Sequence, residues 1–304
     1  MNKNKNAICI TVYKNRCTKI LDMISNVKDK FDVYIVAQKN DPELNEYYKY
    51  NVDVLIPDVT SIFQKREYVR NEMISKGYEG FFMIDDDVVG FKKITTESKR
   101  TTSDTYKRLD AEINEVLEDI LSISEIHNCD FVSIMHTYYM GFQKPGNVNI
   151  NKSINAGQFV YLRTETLREC NLHYDESGNI NEDVDMVISL MQHGRNCATI
   201  GYYGYTVSNY RYSSSHIKHT NLYSGIEDIE RMNMNNCVKH HIGIRLTNKG
   251  ILTNVIRYNK YFNTFDLPQI DENILNFCKN DDILGLKNYL NDIKHEKDSN
   301  RKKF

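Results

Sequence analysis

The sequence predicts an α/β fold with a mostly parallel sheet flanked by helices. Three observations carry this. Short, continuously apolar runs fill the first ninety residues, and such runs suit strands covered on both faces. Helix-period segments separate them, which is the alternation of a doubly wound sheet. A chain of 304 residues is long enough to bury a substantial core.

Taken in order, AICITVY (7–13), FDVYIVAQ (31–38), VDVLIPD (52–58) and GFFMIDDD (80–87) read as strands. Helices are expected near 18–29, 42–50 and 61–76. Ser61 can cap the last of these, and Gly77 ends it. A long amphipathic helix is expected over 106–127, with Leu109, Ile113, Val116, Leu117 and Ile120 on its apolar face. Strands follow at 130–136, 156–163 and 196–206, with a short helix at 164–170 and a patterned one at 182–193. From about 225 the pattern turns helical, and the charged tail beyond 290 is expected to fray. The division expected is 1–222 for the main domain and 223–304 for a helical C-terminal extension.

Composition excludes little but points somewhere. A formal charge of −2, from 39 basic and 41 acidic residues, gives no global field toward nucleic acid or membrane. The seven cysteines contain no CxxC pair, which argues against a zinc or disulfide framework and for a reducing cytoplasm. No run reaches the roughly 18 apolar residues of a membrane span, and the N-terminus has too short an apolar run for a signal peptide. The scarcity of proline (4) and tryptophan (0) beside abundant Asn, Lys, Ile and Tyr suits an AT-rich genome such as a phage carries.

The informative stretch is GYEGFFMIDDDVVGF (77–91), where an apolar strand runs into Asp85, Asp86 and Asp87. In open α/β sheets the functional crevice lies at the carboxyl ends of strands. Three adjacent carboxylates there repel one another unless a cation sits among them. Oxygen-ligated Mg²⁺ or Mn²⁺ meets that need; an exposed acidic turn is the plainer reading.

A D-x-D motif closing the fourth strand resembles the signature of GT-A glycosyltransferases. Two further features match in order: Glu182-Asp183 opening a helix, and His216 and His219 in SSSHIKHTN (213–221). The segment REYVRNEMISKGYEGFFMIDDDV, with GIEDIERMNMNNCVKHHIG further on, is similar to the phage TET-associated glycosyltransferases, which attach sugars to hydroxymethylated pyrimidines in DNA. The resemblance implies a nucleotide-sugar donor, with UDP expected.

It also implies roles. Asp87 would ligate the metal, Asp85 the metal's water shell or the ribose, with Asp86 beside them; His219 or His216 would complete coordination. Thr11, Tyr13 and Arg16 in the first loop, and Gln38 after the second strand, are candidates for nucleotide contacts. Arg66 and Arg70 share a helix face and suit diphosphate. Asp183, with Glu182, is the candidate general base, which implies inversion at the anomeric carbon; acids there could instead complement the helix dipole. Gly157 would admit close approach of the acceptor. Lys239 and Arg245, in a basic stretch after Arg231, are candidate DNA contacts. Alternatives remain: a GT-A enzyme acting on polysaccharide or protein, a haloacid-dehalogenase-type phosphatase (DDDVV also reads D-x-D-x-V), and a nucleic-acid-binding protein on an inactive scaffold.

Overall fold

The structure is a computed structural model and describes residues 5–12, 18–25, 27–59, 61–96, 106–140, 143–174, 182–208 and 226–301. The chain forms two compact units, Met1–Tyr210 with Phe262–Thr264, and Arg211–Tyr261 with Phe265–Phe304. Among the described residues no helix is long and apolar enough to cross a membrane.

In the first unit, β1 (Asn6–Thr11), β2 (Asp32–Val36), β3 (Asp53–Leu55) and β4 (Gly80–Asp85) alternate with α1 (Thr18–Ile24), α2 (Leu44–Tyr47) and α3 (Ile62–Ser75). There follow β5 (Val88–Lys93), β6 (Leu109–Ala111), α4 (Ile113–Ile126), β7 (Cys129–His136), α5 (Thr137–Met140), β8 (Val148–Ile150), β9 (Phe159–Arg163), α6 (Thr164–Glu169), α7 (Glu182–Gln192) and β10 (Asn196–Val207). They build a ten-stranded sheet of order β3-β2-β1-β4-β9-β7-β10-β5-β6, with β8 beside β10. Strands β1–β4, β6, β7 and β10 run one way, while β5, β8 and β9 are reversed.

The apolar runs behave as their composition demands. Every residue of β1 after Asn6, and of β4 before Asp85, is buried. Phe82 packs against Phe31, Phe159 and Tyr161, so aromatics from the turn before β2 and from β9 close over the middle of β4. Helix α3 begins in a capping box: Gln64 N–H donates to Ser61 Oγ and Ser61 N–H to Gln64 Oε1, each 3.3 Å. It ends at Gly77, whose φ of +73° is the left-handed conformation that stops a helix.

Four sequence expectations change. Leu109 belongs not to a helix but to β6, opposite Lys93; the open edge of β5 offers ladder hydrogen bonds that a helix's first turn lacks, and Lys92–Asp110 pairs beside it. Helix α4 therefore starts at Ile113. Short strands β5 and β8 also form where no strand was expected, as pairing with β10 decides them. The second unit is not purely helical. Its helices α8 (Ile226–His240), α9 (Glu272–Lys279) and α10 (Ile283–Arg301) accompany a hairpin of β11 (Gly243–Leu246) and β12 (Leu252–Val255). Met234, Cys237, Ile244, Leu252, Cys278 and Leu286 form its core. The tail beyond 290 continues α10 instead of fraying.

Candidate active site

Strand register assembles the site. In the parallel β1/β4 pair Thr11 stands opposite Asp85, and Thr11 Oγ1 donates to Asp85 Oδ1 at 3.2 Å. On the other side of β4 the antiparallel strand β9 brings its preceding loop alongside, and Asp85 N–H donates to Gln158 O at 3.0 Å. Asp86 and Asp87 turn the chain from β4 into β5, and both are buried. Asp87 is held from two directions: Gln158 Nε2 lies 3.5 Å from its Oδ2, and Ser208 N–H donates to its carbonyl at 2.9 Å.

Two cationic side chains of α3 stand near this trio. Helix α3 turns Lys65, Arg66, Glu67 and Arg70 inward, all buried, and buried charges need partners. Arg66 Nη2 lies 3.5 Å from Asp85 Oδ1. Lys65 Nζ donates to Val12 O at 2.6 Å. Burial lowers the Lys65 pKa, and the fields of Asp86, Asp41 and Asp85 oppose that shift. Lys65 was invisible to the sequence reading because a lysine in a helix normally reads as solvated surface.

A narrow cleft joins Asp85 and Arg66 to Asp183 of the second acidic motif. Arg66, Asp85, Ala156, Gly157, Gln158 and Asp183 are among the residues that line it. Asp183 sits in the first turn of α7, where its Oδ1 accepts Val184 N–H at 2.8 Å. Gly157 earns its place by space: a Cβ there would stand 3.1 Å from Tyr205 Oη. Burial pushes the Tyr205 pKa up to about 12, with Asp85 and Asp87 adding to the rise and Asn155 opposing it, so its hydroxyl stays protonated. The loop before β9 is fixed by Asn155, whose N–H donates to Thr199 Oγ1 and whose Nδ2 donates to Ile134 O. The roles of Gln158, Asn155 and Tyr205 were not read from the sequence, because only the folded sheet brings them together around Gly157.

Other expected residues do not line this cleft. Arg70 is committed to Leu167 O at 3.3 Å and to Asn71 and Glu67, away from the cleft. Gln38 follows β2 partly exposed, its carbonyl accepting Asp41 N–H. Lys239 and Arg245 are exposed within the second unit. Tyr13, Arg16, His216 and His219 lie outside the described residues, as does the side chain of Glu182. Among the described residues no group of three or more His, Cys, Asp or Glu is placed to hold a metal ion. A cavity of about 450 Å³ lies at the opposite end of the sheet, by Lys5, Asn6 and Arg163, and is lined by none of these acids.

The family model for TET-Associated Glycosyltransferase matches residues 11–214, which span every acid described above. The chain belongs to this family. Its fold is shared with S. aureus TarS. The structure of TarS 1-349 in complex with UDP-GlcNAc aligns with a TM-score of 0.53 at 15% identity, covering 77% of this chain and 66% of that one. A second structure of TarS 1-349 aligns at 0.50 and 14% identity, covering 77% and 64%. The chain thus spans just under two thirds of the length of these TarS chains. No curated protein matches it by sequence.

Proposed function

We propose that this glycosyltransferase moves a sugar from a UDP-sugar to the hydroxyl of a hydroxymethylated pyrimidine in DNA, with Mn²⁺ or Mg²⁺ and with inversion. The observation that carries the reading is the convergence of Asp85, Arg66, Gly157 and Asp183 on one cleft. Family membership and the likeness to a UDP-GlcNAc-bound TarS support the donor class.

The donor set fits a hard divalent cation. Asp85 and Asp87 offer carboxylate oxygens from one turn, and Mg²⁺ typically takes one or two carboxylates, with phosphate oxygens and water filling the rest. Asp87 and Asp85 would hold the metal, with His216 or His219 as further ligands. When bound, it would offset the charge that develops on the departing nucleoside diphosphate.

The chain's own groups do the remainder. Arg66, already partnered with Asp85, places a fixed guanidinium beside the donor phosphates. Thr11 and Gln158 hold the acids in place, while Gln38, Tyr13 and Arg16 serve the nucleotide. Asp183 accepts the proton of the acceptor hydroxyl as that oxygen bonds to the anomeric carbon and the bond to the diphosphate breaks. Attack from the face opposite the leaving group inverts the centre. The second unit, with Lys239 and Arg245 exposed, serves as an acceptor-binding extension that tracks the DNA backbone.

Incubating the full chain with labelled UDP-sugars and a panel of acceptors tests this. Label should enter hydroxymethylcytosine DNA only with divalent metal, and NMR of the product should show the inverted anomer. Transfer to oligosaccharide or protein but never to DNA would overturn the acceptor.

A further inference from the structure

The helix that carries Asp183 is held at its other end by residues from a distant part of the chain. Phe262–Thr264 belong to the first unit, although the chain before and after them, Arg211–Tyr261 and Phe265–Phe304, belongs to the second. Within the first unit, Asn263 N–H donates to Met191 O at 2.7 Å. Met191 stands in the last turn of α7, about 12 Å along the helix from Asp183.

The local sequence explains this contact. Helix α7 closes in a Schellman turn: Gly194, at φ +70°, donates its N–H to Met191 O at 2.9 Å, and Arg195 N–H donates to Leu190 O at 3.0 Å. A carbonyl oxygen has two lone pairs, so Met191 O can accept from Asn263 as well. Asn263 has φ +55°, a left-handed conformation that asparagine adopts more readily than most residues. Its side chain depends on the glycine, since a Cβ on Gly194 would stand 3.2 Å from Asn263 Oδ1.

The bond acts in the direction that packing constrains least. Met186, Val187, Ile188, Leu190 and Met191 are buried, and α7 packs against β10. Apolar burial is non-directional, and packed helices slide past one another by small shears. The carbonyls of a helix point along its axis toward the C-terminus, so a donor beyond that end fixes axial position. Asp183 Oδ1 accepts Val184 N–H, so the carboxylate moves with the helix.

We propose that Asn263 is a positioning residue, which sets where α7 stops along its axis and so where Asp183 meets the acceptor hydroxyl. The inference rests on Asp183 as the general base and deepens that reading. A misplacement of about 1 Å at a reacting group can cost about a hundredfold in rate. Asn263 is exposed, so replacing its side chain opens no core cavity.

The test measures kcat, donor KM and donor-dependent thermal shift for the full chain, with UDP-sugar, Mn²⁺ and the acceptor that takes label in the panel above. Asn263→Pro removes the N–H and cannot adopt a positive φ. It should lower kcat about ten- to a hundredfold and leave donor KM and the donor-dependent rise in melting temperature at the parental level. Asn263→Gly keeps both the N–H and the backbone conformation, and should turn over as the parent does. Asn263→Val keeps the N–H but strains the backbone; it should give an intermediate loss, and it carries the test if the proline variant does not fold. Added to Asp183→Asn, either damaging change should cost nothing further, because no base is left to misplace. Parental kcat in both the proline and valine variants overturns the positioning role. So does a loss that adds to that of Asp183→Asn, or one that comes with a weakened donor response. Parental turnover in Asp183→Asn itself removes the base, and the role of Asn263 with it.

Discussion

At the end of β4, Asp85 contacts Arg66, Asp86 and Asp87 are buried close by, and the charge of Lys65 acts on Asp85 and Asp86. In the second unit the basic residues disperse. Arg231 pairs locally with Glu227 and Asp281, His240 is buried, and Lys239 and Arg245 stand exposed on a helix and on a hairpin. Both stretches are conspicuous in the sequence, and the difference lies in what aims them. A strand end fixes where consecutive side chains go, and its neighbours' register brings partners to it. A basic run that crosses a helix, a turn and a hairpin has no such common direction. Charge density in sequence becomes a catalytic pocket only where secondary structure makes it converge, whereas dispersed exposed cations suit at most the loose, salt-sensitive contact of a phosphate backbone.

The strongest way to break this contrast is Asp85→Ala or Asp87→Ala. Each should lower sugar transfer about a hundredfold or more, measured with saturating UDP-sugar, and should abolish the metal-dependent rise in melting temperature given by the donor. If either variant keeps that rise, the acids do not serve the donor. Asp183→Asn sharpens the picture within the cleft. Turnover should fall about a hundredfold, while donor binding, read by thermal shift, should stay at the parental level because only the base is lost.

Stability separates the structural charges from the functional ones. Glu67 accepts Tyr174 N–H and His173 Nδ1, both at 2.8 Å, and lies 3.5 Å from buried Arg70. Glu67→Ala should cost about 3 kcal/mol in denaturant unfolding, because a buried guanidinium loses its counter-charge. His136 gives a smaller effect with a defined sign. Its folded-state pKa lies below the ordinary 6.5, so the unfolded chain takes up the proton first as pH falls. Stability should therefore decline below about pH 6.5, and His136→Gln should flatten that limb of the profile. Smallest of all, Lys239→Ala and Arg245→Ala should leave stability within about 0.5 kcal/mol. Each should lower the salt slope of DNA binding by about one; an unchanged slope would remove the second unit from the acceptor contact.

How much was legible follows the same logic. The central strands β1 and β4 could be read because burial on both faces imposes an unbroken apolar run, and the trio of acids because it interrupts one. The Ser61 cap and the Gly77 stop were legible because each is a local chemical requirement. Strands β5, β6 and β8 were not, since they are short and exist through their pairing with partners elsewhere. Among site residues, Asp85 and Asp183 announced themselves by type and position. Gln158, Asn155 and Tyr205 could not, because their meaning comes from the register of β9 and β10. Arg70 shows the converse: helical spacing paired it with Arg66, yet its guanidinium turns to Leu167 O on α6.

Three successive residues of α3 serve three separate addresses: Lys65 the exit of β1, Arg66 the tip of β4, and Glu67 the chain at 173–174. Helical geometry advances about 100° per residue, so this single turn acts as a jig with every arm cut to one angle. Inserting one amino acid ahead of Lys65 would swing all three arms off target together. Such a frame shift should do more harm than any one substitution along the helix.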